Sequence, residues 1–145
     1  MISRVRLAAR LSLAACLALM PVGMAMAQEA GGYVCTMQQL QQNEGWFAET
    51  VTVRYPVNGN EAIVKDAVID RFAQQTIFAK VETENDIRIT FVWSLLTKDK
   101  RNVPGQRIFR LTIRKADLSA AMVTTLPIEW HDGNFRAEGK CIRRK

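Results

Sequence analysis

The sequence predicts an all-β domain, a small antiparallel meander closed into a barrel, with a two-sheet β-sandwich as the alternative arrangement. Three observations lead there. Apolar and polar residues alternate with a period of two along most of the chain, turn-forming residues interrupt that pattern at short intervals, and two cysteines stand near the ends of the alternating region. About seven or eight strands result, and a sheet of that size must hide its edges, which closure achieves.

The first 27 residues read as a cleavable secretory signal outside this domain. Arg4, Arg6 and Arg10 precede an apolar run from Leu11 to Met20, and Pro21 to Ala27 ends in Ala25-Met26-Ala27, the small-x-small pattern that signal peptidase accepts. Pro21 and Gly23 break the run before it reaches the roughly 20 apolar residues of a spanning helix, so the mature form is expected to have no membrane span. Leu13-Ala14-Ala15-Cys16 resembles a lipobox, but little apolar sequence precedes Cys16 and a better cleavage site follows it. A lipoprotein is therefore the minor alternative. Residues 28–145 are expected to form one β domain in the periplasm or outside the cell.

Removing the signal changes the charge to be interpreted. It carries three of the 20 basic residues and none of the 14 acids, so the formal charge falls from +6 to +3. A mildly basic exported domain gives no case for nucleic acid as a partner. Cleavage also removes Cys16 and leaves Cys35 and Cys141, a pair expected to form a disulfide joining the terminal strands in an oxidising compartment. His131 is the only histidine, too little for a metal site, and the cysteines lack the Cys-x-x-Cys spacing of a redox pair. No cofactor is expected.

Along the mature chain, Gln38 to Asn43 is a polar connector or short helix. Val51, Val53 and Tyr55 then share one face against Thr50, Thr52 and Arg54, the pattern of a half-buried strand. Residues 61 to 75 fit either period and are read as a strand with a helical turn near Ile69 to Gln75. Asn85-Asp86 turns the alternating run from Thr76 into Ile87 to Leu95, whose inward set is Ile87, Ile89, Phe91, Trp93 and Leu95. In Arg107 to Ile113 the inward set is Phe109, Leu111 and Ile113, and Lys115 to Asp117 turns into a strand at Leu118 to Leu126. The last strand carries Phe135, Ala137, Gly139 and Cys141 on one face. The large inward residues favour a filled interior.

Three groups of residues are candidates for function. Arg88, Arg110 and Arg114 fall on polar faces of neighbouring strands, with Lys98, Lys100 and Arg101 in a loop and Arg143, Arg144 and Lys145 at the end; aligned, the first three make an anion- or partner-binding stripe. Trp46 and Trp130 stand beside turns and are candidates for a pocket rim, against packing as the simpler role. Glu129-Trp130-His131-Asp132-Gly133 holds two carboxylates and the imidazole, but Asp132-Gly133 is a hairpin turn signal and no nucleophile is in evidence for His131 to serve. No residue is assigned as catalytic.

The plan of an exported small β domain with an early Tyr33-Val34-Cys35 and a late Gly139-Lys140-Cys141 resembles, in layout, the periplasmic inhibitors of c-type lysozyme. The resemblance implies a small antiparallel barrel closed by a disulfide. The inhibitory loop of that family carries a Ser-Gly-x-x-Tyr motif with no counterpart in this sequence, so no functional residue is carried over. The expectation is a non-enzymatic binding or inhibitor-like module whose partner is an envelope glycolipid, glycan or protein. The alternatives are a small envelope hydrolase using carboxylates and His131, and a structural envelope component, which predicts a broad exposed apolar patch.

Overall fold

A computed structural model of the chain describes residues 31–40, 45–58, 60–126 and 135–145. The segment expected to be a signal, Trp130 and the rest of Glu129 to Gly133 lie outside them. The described chain forms eight strands: β1 (Gly31–Met37), β2 (Thr50–Asn58), β3 (Glu61–Asp66), β4 (Ile77–Glu84), β5 (Arg88–Lys98), β6 (Pro104–Arg114), β7 (Ser119–Thr125) and β8 (Phe135–Arg144). One short helix, α1 (Ala67–Phe72), follows β3. Each strand pairs antiparallel with its neighbour in sequence, and β8 pairs back onto β1, so the meander closes into a barrel.

The alternation in sequence becomes the inside and outside of that barrel. Ile89, Phe91, Trp93 and Leu95 of β5 and Phe109, Leu111 and Ile113 of β6 are buried, facing Val51, Val53, Met122, Ala137 and the cysteines. Phe91 takes the edge of Tyr55 at 5.7 Å between ring centres and a tilted Tyr33 at 6.2 Å, while Trp93 stacks on Phe109 at 5.6 Å. Burying each such aromatic contributes about 2 to 3 kcal/mol. The interior is filled by side chains, as barrels of this strand number commonly are.

Cys35 and Cys141 are direct register partners on β1 and β8 and are joined by a disulfide, both of them buried. The bond therefore lies across the closing seam of the barrel. Close approach along that seam requires glycine: a Cβ at Gly139 would collide with the Thr36 carbonyl oxygen, and one at Gly32 with that of Val53 on the neighbouring β2.

The ambiguous stretch after Glu61 resolves into a strand to Asp66 and a helix from Ala67, earlier than the helical turn expected at Ile69 to Gln75. Asp66 is the cause. Its Oδ1 accepts the Ile69 backbone N–H at 2.7 Å, an N-cap that starts the helix at once, and Val68 and Ile69 are buried beneath it. Burial pushes the Asp66 carboxyl up, against the pull of the Ile69 and Val68 backbone hydrogen bonds. A second departure is Ile87, expected inside but 69% exposed. It belongs to the turn, where Asn85 Oδ1 accepts the N–H groups of both Ile87 and Arg88, and the inward pattern begins two residues later.

Candidate binding surface

The three arginines singled out by the sequence do not form one stripe. Arg88 and Arg114 are direct register partners on β5 and β6, both exposed on the outer wall at the end of the barrel where the β4–β5 and β6–β7 turns lie. Arg110 stands four residues from Arg114 along β6, opposite Val92 and Val123, and donates to the Glu82 carboxylate. Its charge is matched within the fold. The separation follows from strand parity: residues four apart share a face but are displaced by about 13 Å along the strand.

Like charges placed opposite each other across two strands repel. Among the described residues neither Arg88 nor Arg114 makes a salt bridge. Asp117, in the turn after Arg114, has its carboxyl held below the usual carboxylate range, chiefly by the Ser119 backbone N–H and hydroxyl, with Arg114 assisting. Lys140 continues the cationic surface on β8, opposite Ser119 on one side and Thr36 on the other.

Of the acids near this end, Asp86 and Asp117 lie in the turns beside Arg88 and Arg114, and Glu84 is engaged elsewhere. Glu84 accepts the Tyr55 hydroxyl at 2.6 Å and the Lys115 ammonium at 3.3 Å, and the hydrogen bond to Glu84, followed by burial, pushes the Tyr55 hydroxyl up to about 12. Around the same end, Arg143 and Arg144 line a shallow groove of about 210 Å³ with Gly31, Gly32, Tyr33 and Tyr55, the Arg143 guanidinium lying 5.9 Å from the Tyr33 ring centre. The result is a cationic barrel end in which Arg88 and Arg114, neither of them in a salt bridge, stand opposite each other, with Asp117 near Arg114.

Trp46 lies at the opposite end and packs. It is half-buried, stacks on Phe72 at 6.0 Å, and covers the guanidinium of Arg107 at 3.9 Å from its ring centre. Arg107 itself is buried on the inner side of β6, with Phe135 5.7 Å away. The signal for it was available, since Arg107 has the same parity as the inward-facing Phe109, Leu111 and Ile113. Its charge argued for the surface instead. The Glu129 to Gly133 candidates, Trp130 and His131 among them, lie outside the described residues.

Among the described residues no group of three or more His, Cys, Asp and Glu side chains is placed to hold a metal ion, and no helix is long and apolar enough to cross a membrane. Among the described residues the large exposed apolar side chains are Leu40, Phe78, Ile87, Leu96, Val103 and Ile142. No protein-family model matches the chain, and no similar protein was found among curated proteins or solved structures.

Proposed function

We propose that this protein is an exported, non-enzymatic binding module that engages an anionic component of the cell envelope through its cationic barrel end. The observation that carries the reading is the Arg88–Arg114 pair: two exposed arginines set as direct register partners on the outer wall, where like charges repel. A phosphate or carboxylate bridging the two relieves that repulsion and gains bidentate, charge-assisted hydrogen bonds. Phosphorylated glycolipid and acidic glycan both supply such groups, and an acidic protein is the alternative partner.

The full chain, expressed with its export signal and purified from the envelope fraction, is tested against three probes. These are vesicles carrying a phosphorylated glycolipid, soluble polygalacturonate, and envelope proteins captured on the immobilised protein. Expected is salt-sensitive binding to one of them, weakened at least tenfold by Arg88→Glu/Arg114→Glu; indifference to all three probes, or to the substitutions, overturns the reading. A mature N-terminus at Gln28 supports export, and a retained Met1 removes that half of the proposal.

A further inference from the structure

The wall of the barrel is not hydrogen-bonded along its whole height. β5 runs to Lys98, yet β4 pairs with it only from Glu84 opposite Ile89 to Lys80 opposite Val92. The first residues of β4 lean the other way, Ile77 pairing with Val64 and Ala79 with Ala62 on β3. Beyond Val92, β5 therefore has a strand partner on one side only, β6, in a register that continues without interruption to Lys98 opposite Pro104, while α1 packs against the same strand.

The direction of the backbone groups along this edge can be read from the turns. The Ile87 carbonyl accepts from Lys115 N–H, and Asp99 N–H donates to Val103, so odd-numbered residues of β5 point their polar groups toward β6; the Arg88 carbonyl accepts from Asn85 N–H on the β4 side. Alternation then turns the N–H and C=O of Ser94, Leu96 and Lys98 toward the open seam. No strand pairing and no turn or side-chain hydrogen bond among the described residues engages them. An unpaired row of this kind is a template for another strand.

Beside the row lies a groove of about 370 Å³, floored by Phe72, Ala73, Gln74, Gln75 and Ile77 and walled by Ser94 to Leu96. Leu96 on its wall is 66% exposed, and Phe78, next in sequence to Ile77 of the floor, is 50% exposed. Lys80 marks the closed end of the seam and Lys98 the open end; both are exposed, and among the described residues neither makes a salt bridge. Apolar side chains thus lie between two cations along a strand edge, Lys98 and, opposite Glu61 of β3, Lys80.

We infer that the β5 edge from Ser94 to Lys98 is a docking site for an extended segment of a partner protein, about five residues long, apolar in its middle and acidic at its ends, which adds as a strand between β5 and β4. The length follows from the span of the free edge, about 17 Å at the rise of a strand, and the charge from Lys80 and Lys98. A second copy is the less suited occupant, because a lysine on the edge opposes pairing between identical strands. The site is separate from the Arg88–Arg114 surface and stands or falls independently of it.

The test uses the full chain and a labelled peptide, acetyl-Glu-Val-Thr-Val-Glu-amide. Expected is saturable binding that slows amide exchange at Ser94, Leu96 and Lys98 and weakens at least tenfold when both glutamates of the peptide are replaced by lysine. Leu96→Pro removes a donor that the barrel does not use and should cost at least tenfold in affinity with the fold retained by circular dichroism. If that variant fails to fold, Lys80→Glu/Lys98→Glu decides: a tenfold loss supports the site and unchanged affinity overturns it. No saturable binding by the unaltered protein overturns the inference, as does undiminished binding by folded Leu96→Pro. Dimerisation without peptide that Leu96→Pro abolishes assigns the edge to a second copy and overturns it too.

Discussion

The guanidinium of Arg107, on the inner side of the barrel wall, lies 3.9 Å from the ring centre of Trp46, which reaches it from the connector between β1 and β2. The indole of Trp46 in turn stacks on Phe72 of α1. One aromatic residue thereby ties a connector, a strand and a helix together at this end of the barrel. Trp46→Ala is expected to lower stability by about 2 kcal/mol, the combined loss of a cation–π contact and of aromatic packing. Urea unfolding monitored by circular dichroism measures it; a change below about 0.5 kcal/mol would show that the stack contributes little.

A trade between stability and binding is expected at Arg88. Arg88→Glu converts a like-charge cross-strand pair with Arg114 into an opposite-charge one and should raise stability by about 0.5 kcal/mol, while diminishing affinity for the anionic partner. Paired unfolding and binding measurements distinguish this from a purely structural role, in which stability and binding would move together or not at all.

The alkaline titration has a defined sign. Tyr55 is held protonated by Glu84 up to about 12, so its contribution is fully present below the ordinary tyrosine value near 10 and is lost as the pH rises from there through 12. Absorbance at 295 nm should show a late phenolate step that Tyr55→Phe abolishes and Glu84→Gln moves back toward 10. A Glu84→Gln variant with an unmoved step would place the cause elsewhere.

Substitution at Gly32 tests the register of β1 on β2. The added Cβ of Gly32→Ala would meet the Val53 carbonyl oxygen, a backbone atom that moves only if the strands part, so a loss of about 2 to 3 kcal/mol is expected. Thermal unfolding of the two proteins side by side is sufficient. Equal midpoints would contradict the close approach.

Strand placement was legible because burial on one side of a sheet writes a period of two into the sequence, and β5, β6 and β8 follow it almost residue by residue. The disulfide was legible because only two cysteines remain once the expected export signal is set aside. Arg107 was not, because residue type and parity gave opposite answers and tertiary stacking on Trp46 decided between them. Nor was the start of α1: Asp66 is a good N-cap, but its position at the end of a strand pattern concealed it. The Arg88–Arg114 pairing required the β5–β6 register, which residue patterns within each strand do not specify. The open edge of β5 depends on β4 leaning toward β3, a relation between three strands that no single segment records.

The Cys35–Cys141 bond sits between register partners of the first and last strands, and 106 positions of sequence separate its two cysteines. Tension applied to the two ends of the chain would therefore pass from one strand directly into the other through the sulfur atoms. The intervening chain would carry none of it. A domain tethered at both ends would keep the chain between its two cysteines unloaded until the bond itself was reduced.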